Sequence, residues 1–98
     1  MSTLFVSRHP GAVEWARRTS LTVDVWVAHL DVAKVGAGDT VIGSLPPHLA
    51  AEVCARGARF LHLRLDIPAE WRGRELSADE LEMAGARLEE YFVERKPA

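Results

Sequence analysis

The run Leu4-Phe5-Val6-Ser7-Arg8-His9-Pro10-Gly11 constrains this chain more than any other stretch. Leu4 to Val6 reads as a buried strand, and Pro10-Gly11 stops it from continuing. Ala12 to Arg18 then carries a helical pattern. A strand that ends in a short polar turn and enters a helix is the unit from which α/β proteins build ligand sites. The helix start offers N–H groups and the positive end of its dipole, both suited to an anion. Ser7, Arg8 and His9 add a hydroxyl, a fixed cation and a titratable imidazole. The plainer reading is a polar surface turn, since exposed Arg and His are common in turns.

A chain of 98 residues is expected to form a single domain, 1–98, around one core. Its 48% apolar content is well above that of disordered chains, and a net charge of −2 argues against binding polyanions by bulk charge. A local cluster of Arg and His suits a small nucleotide better than a long nucleic acid. Cys54 is the only cysteine, which excludes an internal disulfide and a Cys-based metal site. Its apolar helical surroundings make it a buried thiol rather than a nucleophile. No apolar run approaches the roughly 20 residues of a membrane span, and the N-terminus lacks a signal-peptide pattern. A cytoplasmic protein with no membrane contact is expected.

Further along, Thr22 to His29 has the β-branched and aromatic enrichment of a second strand. Asp31 to Asp39, with Gly36 and Gly38, is too short for a crossover helix but long enough for a single turn at Val32 to Val35. Thr40 to Gly43 reads as a buried strand. Ser44-Leu45-Pro46-Pro47-His48 repeats the architecture of the first turn, and the helix that follows stops at Gly57. Phe60 to Leu65 alternates as a fourth strand, and Asp66 to Arg74 forms a loop. Ser77-Ala78-Asp79-Glu80 matches a capping box, opening a C-terminal helix with a stripe of Leu81, Ala84, Leu88 and Tyr91-Phe92. This order calls for an α/β domain: a mostly parallel four-stranded sheet, order 2-1-3-4, with helices on both faces. The reversal between strands 1 and 3 is a switch point, where open α/β sheets bind ligands. Four polar segments converge on that edge: Ser7 to Gly11, His29 to Asp31, Ser44 to His48, and Asp66 to Arg74.

Three blocks, Ser7 to Ala16, Asp24 to Asp31, and Gly38 to Pro46 leading into His48 to Glu52, resemble a small family of type III CRISPR accessory proteins. The resemblance runs over nearly the whole chain. It implies a Rossmann-like, three-layer domain related in shape to the CARF sensors. It also implies a ring nuclease that degrades cyclic oligoadenylate, with cyclic tetra-adenylate the expected ring, and so switches off type III antiviral signalling.

Cleaving such a ring without metal requires a 2′-hydroxyl to attack its adjacent phosphorus, with the protein supplying position and charge. Arg8 suits the non-bridging oxygens, Ser7 donates a hydrogen bond to phosphate, and His9 serves as general base or general acid. The expected ligand contacts are Pro10, Gly11, His29, Asp31, Ser44, Leu45, Pro46, His48, Trp71, Arg72 and Arg74. His29 and His48 suit either ligand contact or capping, and His62 reads as structural. Trp15 is expected to pack rather than stack on adenine. Trp71, between arginines, is a lid, a base-stacking element or a loop anchor. Neither a metal nor a cofactor is expected, because the carboxylates are scattered and the histidines lack ligand spacing. A two-fold homodimer is expected, since one small domain cannot grip several phosphates of a symmetric ring. The rival readings are a non-catalytic cyclic oligoadenylate sensor or sink, and a structural protein of the CRISPR complex. Arg8-His9 is also similar to the Arg-His-Gly signature of histidine phosphatases, but Pro10 replaces the glycine and the chain is far too short.

Overall fold

The apolar runs pair side by side. In the computed structural model, which describes residues 1–98, Thr3–Val6 (β1) lies between Val25–Val27 (β2) and Thr40–Gly43 (β3). Arg59–Arg64 (β4) flanks β3, and these four strands are all parallel. Arg87–Tyr91 (β5) adds to β4 in the antiparallel sense, giving the order β2-β1-β3-β4-β5. The helices are Pro10–Arg18 (α1), Pro47–Ala55 (α2) and Ala78–Met83 (α3), with 3-10 turns at Val32–Lys34 and Ala69–Trp71.

Period-two alternation sends each strand's side chains to two cores. In register across four strands, Trp26, Phe5, Ile42 and Leu61 line one face. There Phe5 and Ile42 pack with Ala12, Trp15 and Ala16 of α1 and Ala78 and Leu81 of α3. Val41 and Phe60 face the other way and bury Ala50, Val53 and Cys54 of α2. Both helical Pro residues sit where no amide is needed, Pro10 and Pro47 each opening a helix. The buried Trp15 indole donates to Glu82 Oε2 at 2.8 Å, tying α1 to α3 as a packing residue. His62 lies on the face opposite α1, stacked on Tyr91 with ring centroids 5.6 Å apart.

The end of the chain departs from expectation. The capping box forms as read, with Ser77 and Glu80 exchanging side-chain and backbone hydrogen bonds. The helix it opens is only six residues long, because Gly85 takes φ 73°. Gly85 N–H donates to the Glu82 carbonyl and Ala86 N–H to the Leu81 carbonyl, the paired bonds of a Schellman stop. Leu88 and Tyr91 therefore belong to a fifth strand instead of a helical stripe. Arg59 pairs there with Glu90 and Arg64 with Glu89, diagonal contacts across the two strands. The expected second strand also shrinks to Val25–Val27, and just ahead of it the Asp24 carboxylate accepts Thr3 N–H at 2.8 Å.

Candidate functional site

Because β1 to β4 are parallel, their carboxyl ends share one edge, and the segments leaving them surround a cavity of about 620 Å³. Ser7, Arg8 and His9 leave β1; Ala28, His29 and Leu30 leave β2; Ser44, Leu45 and Pro46 leave β3. Arg74, Glu75 and Leu76, in the segment before α3, close the remaining side. The interior is apolar, walled by Leu49, Leu63, Leu65, Ile67 and Leu81, and the polar groups gather at the mouth. Gly43, with φ 154°, makes this geometry possible: a Cβ there would lie 2.6 Å from the Val6 carbonyl oxygen, where β1 and β3 end together. Ser44 Oγ donates to the Leu63 carbonyl at 3.2 Å and ties the β3 exit to β4.

His9 is the N-cap of α1, yet its side chain makes no capping bond. Its Nδ1 lies 3.1 Å from both carboxylate oxygens of Glu75. Ser7 Oγ accepts the His9 N–H at 3.1 Å and shapes the turn. Arg8 is exposed and forms no ion pair, so its guanidinium is free for an anion. The helix start offers less than expected. Pro10 has no N–H and the Ala12 and Val13 amides both reach the His9 carbonyl, which leaves Gly11 as the unpaired amide of the first turn. Arg74 is engaged on two sides: it pairs with Glu80 and its guanidinium carbon lies 5.2 Å from the centroid of the Trp71 ring. Arg74 first, and Ser77 N–H second, hold the Glu80 carboxyl below its ordinary value.

Of the expected contacts, Ser7, Arg8, His9, His29, Ser44, Leu45, Pro46 and Arg74 line this cavity, and the others do not. Asp31 caps the 3-10 turn at Val32–Lys34, its Oδ1 accepting Ala33 N–H at 3.2 Å. His48, second in α2, projects to a separate groove between α2 and Phe92–Arg95, while Leu49 takes the position facing the site. Trp71 is half-buried in its loop with Arg74 over its ring, and both it and Arg72 lie outside the lining. Pro10 starts the helix. Gly11 serves packing: a Cβ on it would stand 1.8 Å from the Leu76 carbonyl oxygen, so only glycine lets that segment cross α1. Asp66, expected at the site edge, pairs with Arg87 at 3.2 Å instead.

Glu75 is the residue that the sequence did not point to. No local pattern marks it, and its place depends on the crossing at Gly11. No group of three or more His, Cys, Asp or Glu stands together in a way that could hold a metal ion. No helix is long and apolar enough to cross a membrane.

Compared with known families, the chain matches over residues 4–94 the family model described as "Putative CRISPR-associated protein (Cas_VVA1548)". No curated protein and no solved structure matches it.

Proposed function

The chain belongs to this CRISPR-associated family, and on that premise we propose that it is a metal-independent ring nuclease of cyclic oligoadenylate, acting in the cytoplasm to end type III signalling. The observation that carries the reading is the meeting of an unpaired Arg8 with a carboxylate-paired His9 at the mouth of an apolar cavity. An anion contact beside a proton carrier is what phosphodiester transesterification needs. The cavity volume lies within the range of about 300–1,000 Å³ typical of small-molecule sites, and its Leu and Ile walls suit a flat base.

In this reading a 2′-hydroxyl attacks its adjacent phosphorus in line. The O2′–P bond forms, the P–O5′ bond breaks, and the products carry a 2′,3′-cyclic phosphate and a 5′-hydroxyl. Arg8 holds the non-bridging oxygens as charge builds on them, and Ser7 lies beside it as a further donor. His9 carries the proton, as base toward the 2′-oxygen or as acid toward the 5′-oxygen. A single cavity of this size seats one nucleotide of the ring, so a two-fold homodimer, offering two such mouths to a symmetric ligand, completes the proposal. A sensor or sink would need the cavity and Arg8 but no proton carrier, and the His9–Glu75 pair favours the enzyme.

The test is to incubate purified protein with cyclic tri-, tetra- and hexa-adenylate and resolve the products by mass. Linear products with turnover support the proposal. Saturable retention of intact ring means a sink, and neither binding nor cleavage overturns both readings.

A further inference from the structure

We infer that Glu75 is a positioning residue that makes His9 the general base through Nε2, an inference that rests on the reading of His9 as the proton carrier. An ionised carboxylate only accepts hydrogen bonds. With Nδ1 at 3.1 Å from both Glu75 oxygens, the imidazole proton belongs on Nδ1 and the lone pair is left on Nε2. A neutral ring so oriented presents only a lone pair at Nε2, so in that form it takes a proton and does not give one. The neutral imidazole accepts the 2′-hydroxyl proton at Nε2, the 2′-oxygen bonds to phosphorus, and the 5′-oxygen leaves and is protonated by solvent. The imidazolium so formed sits against the Glu75 carboxylate, which is the stabilisation an oriented acid–base pair supplies.

The fold holds Glu75 from both sides. Arg74 before it is pinned between Glu80 and the Trp71 ring. Leu76 after it packs against the α1 and α3 core, with its carbonyl laid over Gly11. Glu75 is thus presented to His9 without being buried. The His9 and Glu75 side chains are 57% and 67% exposed, so the pair contributes little to stability in the free protein. A ligand covering the mouth excludes water and strengthens it at the moment of reaction.

The test combines two readouts on the full chain. Nitrogen-15 NMR of the His9 ring reports which nitrogen bears the proton, and single-turnover and steady-state kinetics on cyclic tetra-adenylate separate kcat from KM. Wild type is expected to show the Nδ1–H tautomer and Glu75→Ala the Nε2–H form. In Glu75→Ala, kcat should fall at least about tenfold, short of the roughly 10²–10⁴-fold a general base contributes in full. KM and Tm should be unchanged, and Glu75→Asp should recover part of the rate. An active wild type with an equally active Glu75→Ala, or an Nε2–H tautomer in wild type, overturns the role of Glu75 and leaves the ring-nuclease reading standing. A wild type that cleaves none of the three rings overturns that reading, and this inference with it.

Discussion

The Nδ1 atom of His9 lies 3.1 Å from both carboxylate oxygens of Glu75, a contact between residues 66 positions apart. Chain geometry, rather than attraction between the two side chains, brings them together, because an exposed ion pair is too weak to order a loop. The determinant is Gly11, over which the Leu76 carbonyl crosses with no room for a methyl group.

Gly11→Ala is therefore expected to damage the site through the backbone. The added Cβ must displace the segment carrying Glu75, at a cost of about 1–3 kcal/mol for overpacking. Thermal denaturation should show the loss of stability, and turnover should fall with the His9–Glu75 contact. Wild-type stability and rate in Gly11→Ala would mean that the segment is held elsewhere.

Arg8→Ala and His9→Ala should fail differently. In the proposed mechanism Arg8 contacts charge in both ground and transition states, so its loss should weaken ligand binding and turnover together. Removal of His9 should leave binding nearly intact and reduce kcat by about 10²–10⁴-fold. Calorimetry for binding and product assays for rate distinguish them. Wild-type turnover in His9→Ala would leave positioning and charge as the whole of catalysis.

Stability should decline in acid. The Asp39 carboxyl is held below its ordinary value, chiefly by Gly36 N–H and next by Ser2 N–H, and so joins the turn before β3 to the start of β1. Glu80 is lowered likewise. A folded-state value below the unfolded one gives stabilisation that is complete above the ordinary carboxylate range, about pH 4, and is lost as pH falls from there through the lowered folded-state value. Tm should drop between about pH 5 and about pH 3, and Asp39→Asn should reduce the drop. A Tm that rises over that interval contradicts the assignment.

Much of this arrangement was legible in local chemistry. Pro10 and Pro47 mark helix starts, Gly57 a helix stop, and Ser77 with Glu80 a capping box, because each acts within one turn of chain. The convergence of Ser7 to His9, His29 and Ser44 to Pro46 followed from parallel pairing alone. β5 was not legible, since Leu81, Ala84 and Leu88 fit a helical stripe and Arg87, Glu89 and Glu90 have no strong strand preference. They form a strand because the open backbone edge of β4 pairs with them, with Leu63 opposite Leu88, which is information from the far side of the sheet. His48 was misplaced for a related reason: membership of a site segment says nothing about which side of the helix a residue takes, and at this helix start Leu49 faces the cavity.

Assembly is open to direct measurement. Light scattering on protein with and without cyclic tetra-adenylate should give twice the 10.8 kDa chain mass. A monomer under both conditions contradicts the two-fold arrangement.

The central claim is that the substrate's own 2′-hydroxyl is the nucleophile and that Arg8 and His9 serve it without a metal. Such a reaction generates no metal-bound hydroxide, and the one carboxylate lining the cavity, Glu75, is engaged with His9. The decisive measurement is a single-turnover assay on cyclic tetra-adenylate in excess EDTA, with the product ends identified by mass. The account predicts undiminished cleavage and a 2′,3′-cyclic phosphate or its hydrolysed form. Loss of activity that magnesium or manganese restores, or a product ending in a 3′-hydroxyl, would contradict it.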